Sequence, residues 1–229
     1  MLMLLPELPF APYRLSGRVC GVLLNDASEL QALGPALSQP PYKAPPQAPV
    51  LEIKPHNTWA ADGDDIVVPA DVAALRAGAQ IAAIIGRTAC RVDERDAAAC
   101  VAGYLLAADI EVPHESHYRP ALRFKARDGF CPIGATALPA EALPDPEALV
   151  IQWRVDGELV RSAGGGGRVR GLARLIADVT DYMTLQPGDL LLLGAAAGAP
   201  LLRPGQALEI SAPGLGRLRH RFVAGEGRA

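Results

Sequence analysis

Ala79-Gln80-Ile81-Ala82-Ala83-Ile84-Ile85, closed by Gly86-Arg87, is the stretch on which the fold turns. A short, almost wholly apolar run stopped by glycine reads as a buried strand. Its neighbours point the same way. On the N-terminal side Arg14–Leu24 reads as a strand, Asn25-Asp26 as a turn, and Ala27–Leu37 as a short helix. Gln39–Pro49 is proline-rich and can be neither regular helix nor central strand, because proline lacks the N–H and fixes φ. Val50–Ile53 then reads as a strand leading into Lys54-Pro55-His56-Asn57.

On the C-terminal side Asp93–Tyr104 has helical character, with Ala98, Val101 and Leu105 on one face. Leu105–Val112 follows as strand or loop through Asp109. Leu149–Val155 is a strand, and Val155-Asp156-Gly157-Glu158 makes a hairpin turn. Val169–Met183 is the best-marked helix, with Leu172, Leu175, Ile176, Val179 and Met183 at helical spacing. Leu190–Leu193 and Ala207–Ser211 read as strands entered from turns. With 21 prolines and 23 glycines in an aliphatic chain, the expected class is α+β, mainly β, with few helices. Residues 1–49 are expected to form a small N-terminal lobe and connection, and residues 50–229 the main domain.

Composition narrows the function. The 229 residues suffice for one sizeable core. Half are hydrophobic and 21% charged, as in a globular protein. A formal net charge of −3 offers no basic excess for nucleic acid. No apolar run approaches a bilayer span. The first ten residues lack a basic region and carry Pro6, Glu7 and Pro9, so a signal peptide is not expected. Cys20, Cys90, Cys100 and Cys131 form no CxxC pair, and a reducing cytoplasm suits them. There is no nucleophile elbow, P-loop or dinucleotide fingerprint.

A series of short motifs keeps its order along the chain: Ile84-Ile85-Gly86-Arg87-Thr88-Ala89, Ala102-Gly103-Tyr104 leading to Asp109, and Phe130-Cys131-Pro132-Ile133-Gly134. Thr184-Leu185-Gln186-Pro187-Gly188-Asp189, Leu193-Gly194 and Arg203-Pro204-Gly205 follow. Together they resemble the fumarylacetoacetate hydrolase family. Gln39–Pro46, Lys54–Trp59, Tyr118-Arg119-Pro120 and Arg127–Gly134 add a narrower likeness. It is to the N-terminal half, or first subunit, of the bifunctional isomerase/decarboxylases of bacterial 4-hydroxyphenylacetate (homoprotocatechuate) degradation.

The resemblance implies a roll or distorted barrel of mixed strands with a few covering helices. It also implies chemistry on 5-oxopent-3-ene-1,2,5-tricarboxylate and 2-hydroxyhepta-2,4-diene-1,7-dioate. In relatives a divalent ion, Mg²⁺ or Ca²⁺, is held by a Glu-x-Glu pair and a later aspartate, and acts as Lewis acid. Here the pair's positions are Gly78 and Gln80, while Asp109 stands at the third. Glycine offers no ligand and Gln80 one neutral oxygen, so no bound metal is expected at this site. Gly164–Gly167 replaces the family's threonine before the long helix, and Leu193-Gly194-Ala195-Ala196 lacks the hydroxyls of its Thr-Gly-Thr-Pro loop.

The resemblance leaves Lys125 and Asp109 as catalytic candidates. Arg119, Arg123, Arg127 and Asp128 are candidates for binding a di- or tricarboxylate, since charge-assisted bonds to carboxylate are strong. The bland alternative is that these charges solvate a loop. His114 and His117 are expected in a mobile surface loop over the site. The chain is expected to be a homo-oligomer, or a hetero-oligomer with a paralogous subunit. Three other functions stay open: a metal-free, non-catalytic subunit paired with a metal-bearing paralogue, a hydrolase of a related 2,4-dioxo acid, and a carboxylate-binding regulatory module.

Overall fold

The computed structural model describes residues 6–115, 117, 121–164 and 167–226. Its strands are β1 (Val19–Leu23), β2 (Val50–Ile53), β3 (Trp59–Ala60), β4 (Ile66–Val68), β5 (Leu75–Ile85), β6 (Val101–Glu111) and β7 (Cys131–Pro139). Then come β8 (Val150–Val155), β9 (Glu158–Gly164), β10 (Leu190–Leu192), β11 (Leu201–Leu202), β12 (Ala207–Ala212) and β13 (Gly216–Ala224). The helices are short: α1 (Ala27–Leu37), α2 (Glu94–Ala97), α3 (Leu122–Lys125) and α4 (Leu172–Thr180).

Eight strands form one curled sheet in the order β2-β1-β10-β5-β6-β7-β3, with β11 added to the side of β5. Five form a second sheet, β4-β13-β12-β8-β9. The stretch quoted first lies in β5, at the centre of the large sheet. Nearly every residue of β5 and β6 is buried, so both faces are covered. One face packs with the small sheet and α4 through Ile81, Leu106, Trp153, Leu175 and Leu218. The other packs Ala82, Ile84 and Leu105 against Val19, Trp59 and Leu190. The mainly β class with few helices is as expected, and the roll or distorted barrel takes the form of a curled half-barrel sheet.

The boundary expected at residue 49 does not set off a separate lobe. β1 lies inside the large sheet, parallel to β10 (Cys20↔Leu191) and antiparallel to β2 (Cys20↔Ile53). A strand from residues 1–49 is therefore hydrogen-bonded on both sides to the main body. Asp93–Tyr104 also differs from expectation. Only Glu94–Ala97 is α-helical, a 3₁₀ turn follows, and Val101 begins β6. The run from Val101 is apolar on every side, and such a run carries no period that separates helix from strand.

The Pro-Gly-Asp turn has a structural use. Asp189 accepts from the Gln186 amide at 2.8 Å and the Ser16 hydroxyl at 2.5 Å, and pairs with Arg18 at 3.1 Å. That ties the entry of β10 to the chain before β1.

Candidate active-site cleft

Asp109 and Glu111 lie two residues apart at the end of β6, so both side chains leave the same face. Gly78 and Arg76 of β5 sit opposite them in register (Gly78↔Asp109, Arg76↔Glu111). β2 brings Glu52 and the chain just after it brings Lys54. A Cβ on Gly21 of β1 would stand 3.0 Å from Glu52 Oε1, so that glycine makes room for the carboxylate. Lys125 arrives as the last residue of α3.

These groups form one buried network. Lys54 Nζ bonds Asp109 Oδ1 at 2.6 Å and Glu52 Oε1 at 2.9 Å. Lys125 Nζ bonds Asp109 Oδ2 at 2.7 Å and Glu111 Oε2 at 3.1 Å, with Glu52 Oε1 at 3.5 Å. Arg76 Nη1 bonds Glu111 Oε1 at 2.7 Å. Three carboxylates thus face three cations. Burial pushes the Asp109 carboxyl up, but the ammoniums of Lys125 and Lys54 outweigh it and hold the group below its usual range. Burial likewise opposes ionisation of Glu111, and His114 and Lys125 beside it hold it low. Lys125 is held above the usual lysine range: its surrounding carboxylates, Asp109 foremost, overcome burial. Glu52 goes the other way, raised by burial and by Asp109.

The network forms a wall of a cavity of about 620 Å³, also lined by Gly78, His117, Ala195, Ala196 and Ala197. A second, more apolar cavity of about 390 Å³ shares Leu23, His117 and Lys125 with it. His117 Nε2 stands 4.0 Å from Glu29 Oε1 of α1. Burial, then the neighbouring His114 ring, lowers the pKa of His117 and so favours its neutral form. His114 lies in a loop, as expected, but not at its surface: its side chain is 5% exposed, 3.5 Å from Glu111 Oε2.

A divalent ion of the kind the family resemblance implies does not fit these residues. A Cβ on Gly78 would already meet the Asp109 carbonyl oxygen at 3.0 Å and Ala195 Cβ at 3.2 Å. Gln80 spends its oxygen on the Gly194 amide at 2.8 Å. Both Asp109 oxygens hold ammoniums. A divalent ion about 4 Å from an ammonium would meet about 8 kcal/mol of repulsion at an effective dielectric of about 20. Among the described residues no group of three His, Cys, Asp or Glu side chains is placed to hold an ion.

The sequence candidates divide. Asp109 and Lys125 meet at the cleft. Arg123, Arg127 and Asp128 line a different cavity, with Asp71, Phe130 and Glu226. There Arg127 Nε bonds the Arg123 carbonyl and Asp128 accepts from Asn57, which is the loop-solvating alternative. Arg119 lies outside the described residues, as does part of the Gly164–Gly167 run. Sequence reasoning missed Glu52, Lys54 and Arg76 as site groups. The alternation Glu52-x-Lys54 beside an edge strand was the available signal for the first two; Arg76 had none, because its place depends on the β5–β6 register. Cys20 and Cys131 are no nucleophiles: burial pushes their thiols up to about 11 and about 12.

The chain matches the model of the fumarylacetoacetate (FAA) hydrolase C-terminal family over residues 18–223, and it belongs to that family. Within it, the chain is 40% identical over 210 residues to the 4-hydroxyphenylacetate degradation bifunctional isomerase/decarboxylase of Salmonella dublin, covering 92% of this chain and 48% of that protein. It thus spans about half the length of the bifunctional relatives it matches. A mitochondrial oxaloacetate tautomerase of Bos taurus is 32% identical over 160 residues, 68% of this chain and 72% of that one. Among solved structures, a 5-carboxymethyl-2-hydroxymuconate delta-isomerase from Mycobacterium smegmatis shares the fold at TM-score 0.76 and 24% identity, covering 93% of this chain and 79% of that one.

Proposed function

We propose that this chain is a subunit of a 4-hydroxyphenylacetate-degradation isomerase/decarboxylase, acting on 5-oxopent-3-ene-1,2,5-tricarboxylate and 2-hydroxyhepta-2,4-diene-1,7-dioate. The observation that carries this is the cleft: a cavity of about 620 Å³ walled by Arg76, Asp109, Glu111, His117 and Lys125, in a chain 40% identical to such an enzyme. Both reactions pass through an enol or enolate. They need a cation near the oxo-acid end and a group that takes up and returns a proton. Arg76 is the more exposed of the two cations that line the cavity, the other being Lys125. His117, whose burial favours the neutral ring and which stands 4.0 Å from Glu29, is the proton acceptor. The setting we propose is the cytoplasm, where the four free thiols stay reduced.

A second reading has its own support. Gly78, Gln80 and the ion-paired Asp109 leave the family's metal position without its donor set, as in a non-catalytic subunit paired with a metal-bearing paralogue. The chain's half-length match to the bifunctional relatives suits such a pair, as a hetero-oligomer. Purified chain is assayed with both substrates, alone and mixed with a Glu-x-Glu paralogue. Turnover by the chain alone, lost in His117→Ala, is the expected result. Turnover only in the mixture, at a rate that His117→Ala leaves unchanged, supports the non-catalytic reading instead.

A further inference from the structure

We propose that this cleft binds a 2-oxo or enol dicarboxylate directly, with no divalent ion, and that Arg76 is the anchor for one of its carboxylates. The inference rests on the cleft proposed above as the substrate site, but not on turnover there.

The lysines fill the cation's role. Lys125 Nζ lies among three carboxylates, Asp109 at 2.7 Å, Glu111 at 3.1 Å and Glu52 at 3.5 Å. Lys54 takes the remaining oxygen of Asp109 at 2.6 Å. The two ammoniums are buried and turned to their carboxylates, so they fix the wall electrostatically and are not the groups that grip a ligand.

Arg76 is differently placed. It spends one nitrogen on Glu111, its side chain is 40% exposed, and it lines the cavity. A guanidinium keeps four further N–H donors in a planar fork after one such bond, and a carboxylate matches that fork. Ala195 and Ala196 line the same cavity, and side chains this small leave space beside Arg76. The adjoining apolar cavity of about 390 Å³, reached past Leu23, His117 and Lys125, suits the ligand's carbon chain. The ligand class is therefore a short-chain 2-oxo or enol diacid with one carboxylate on Arg76.

The full chain, stripped with EDTA, is titrated calorimetrically with 2-oxoglutarate and with 2-oxoadipate. The same titrations are run with excess Mg²⁺ and Mn²⁺, and Mn²⁺ binding is read separately by electron paramagnetic resonance. The expected result is saturable diacid binding in EDTA, an affinity unmoved by either ion, and no protein-bound Mn²⁺. Arg76→Met should weaken binding about tenfold or more, and Arg76→Lys less, with circular dichroism unchanged. No binding with or without ion, binding that appears only with the ion, or equal affinity in Arg76→Met each overturns the proposal. Diacid binding in EDTA without turnover by chain or mixture would defeat the proposed activity and leave this site standing. Turnover with strictly ion-dependent binding would do the reverse.

Discussion

Asp109 shows how one residue can keep a family position and change its work. With glutamates at 78 and 80 it would complete a ligand set; beside Gly78 and Gln80 it becomes the centre of an ion-pair network. That its position was retained was legible in the sequence. Its partners were not, because Lys54 and Lys125 reach it from 55 and 16 residues away through the fold. Its chemistry predicts a specific pH dependence. The folded pKa of Asp109 lies below the ordinary value of about 4, so its contribution is present above that value and is lost as pH falls through the folded one. Raised Glu52 has the opposite sign and offsets part of that loss. Replacing Asp109 with Asn takes the nearest carboxylate from two buried ammoniums and leaves them only Glu52 and Glu111, a change worth about 3 kcal/mol near pH 7. Urea unfolding of both proteins from pH 7 to 3 should show that gap shrinking as the wild type is protonated. A gap constant across the range would mean that Asp109 is not ionised in the folded protein.

Among the elements, those with punctuation of their own were readable and those defined by pairing were not. α1 covers the residues expected, because Asp26 caps it by accepting from the amides of Ser28 and Glu29 at 2.9 and 3.1 Å. The β8–β9 hairpin follows from Asp156 and Gly157, whose φ angles of 53° and 88° a two-residue turn requires. β7 went unread, since small residues break its apolar pattern; β13 went unread although buried Leu218, His220 and Phe222 alternate with exposed arginines, the period-two signal of a strand. Asp26 also links element to site. Its second oxygen accepts from the Ala197 amide at 3.3 Å, joining the start of α1 to the wall of the cleft. Asp26→Ala should therefore cost about 1 kcal/mol, the usual worth of an N-cap. It should also weaken diacid binding, because Glu29 of α1 sits at the cleft behind His117. Chemical denaturation and calorimetry on the same variant measure the two effects. A stability loss with unchanged affinity would show that the α1 link has no bearing on the cleft.

For the whole molecule, class and family were legible, because turn chemistry and ordered motifs survive in one dimension. The division at residue 49 was misleading for a physical reason. A proline-rich stretch marks where regular structure stops, but not which strands pair across it. β1 inserts between β2 and β10, with pairs Val22↔Leu51 on one side and Val19↔Leu190 on the other. Removing it exposes two strand edges at once and takes Val19 and Cys20, both fully buried, out of the core. It also removes the Gly21 surface against which Glu52 is seated, and so loosens the wall that holds Lys54 and Lys125. A chain beginning at Val50 should therefore not fold on its own. Far-UV circular dichroism should show loss of the β signal, and size exclusion should show aggregation. Deletion of residues 1–12 alone spares β1 and should leave a cooperative thermal transition. If the chain from Val50 instead folds cooperatively and still binds the diacid, residues 1–49 are an independent lobe after all, and the cleft is complete without β1.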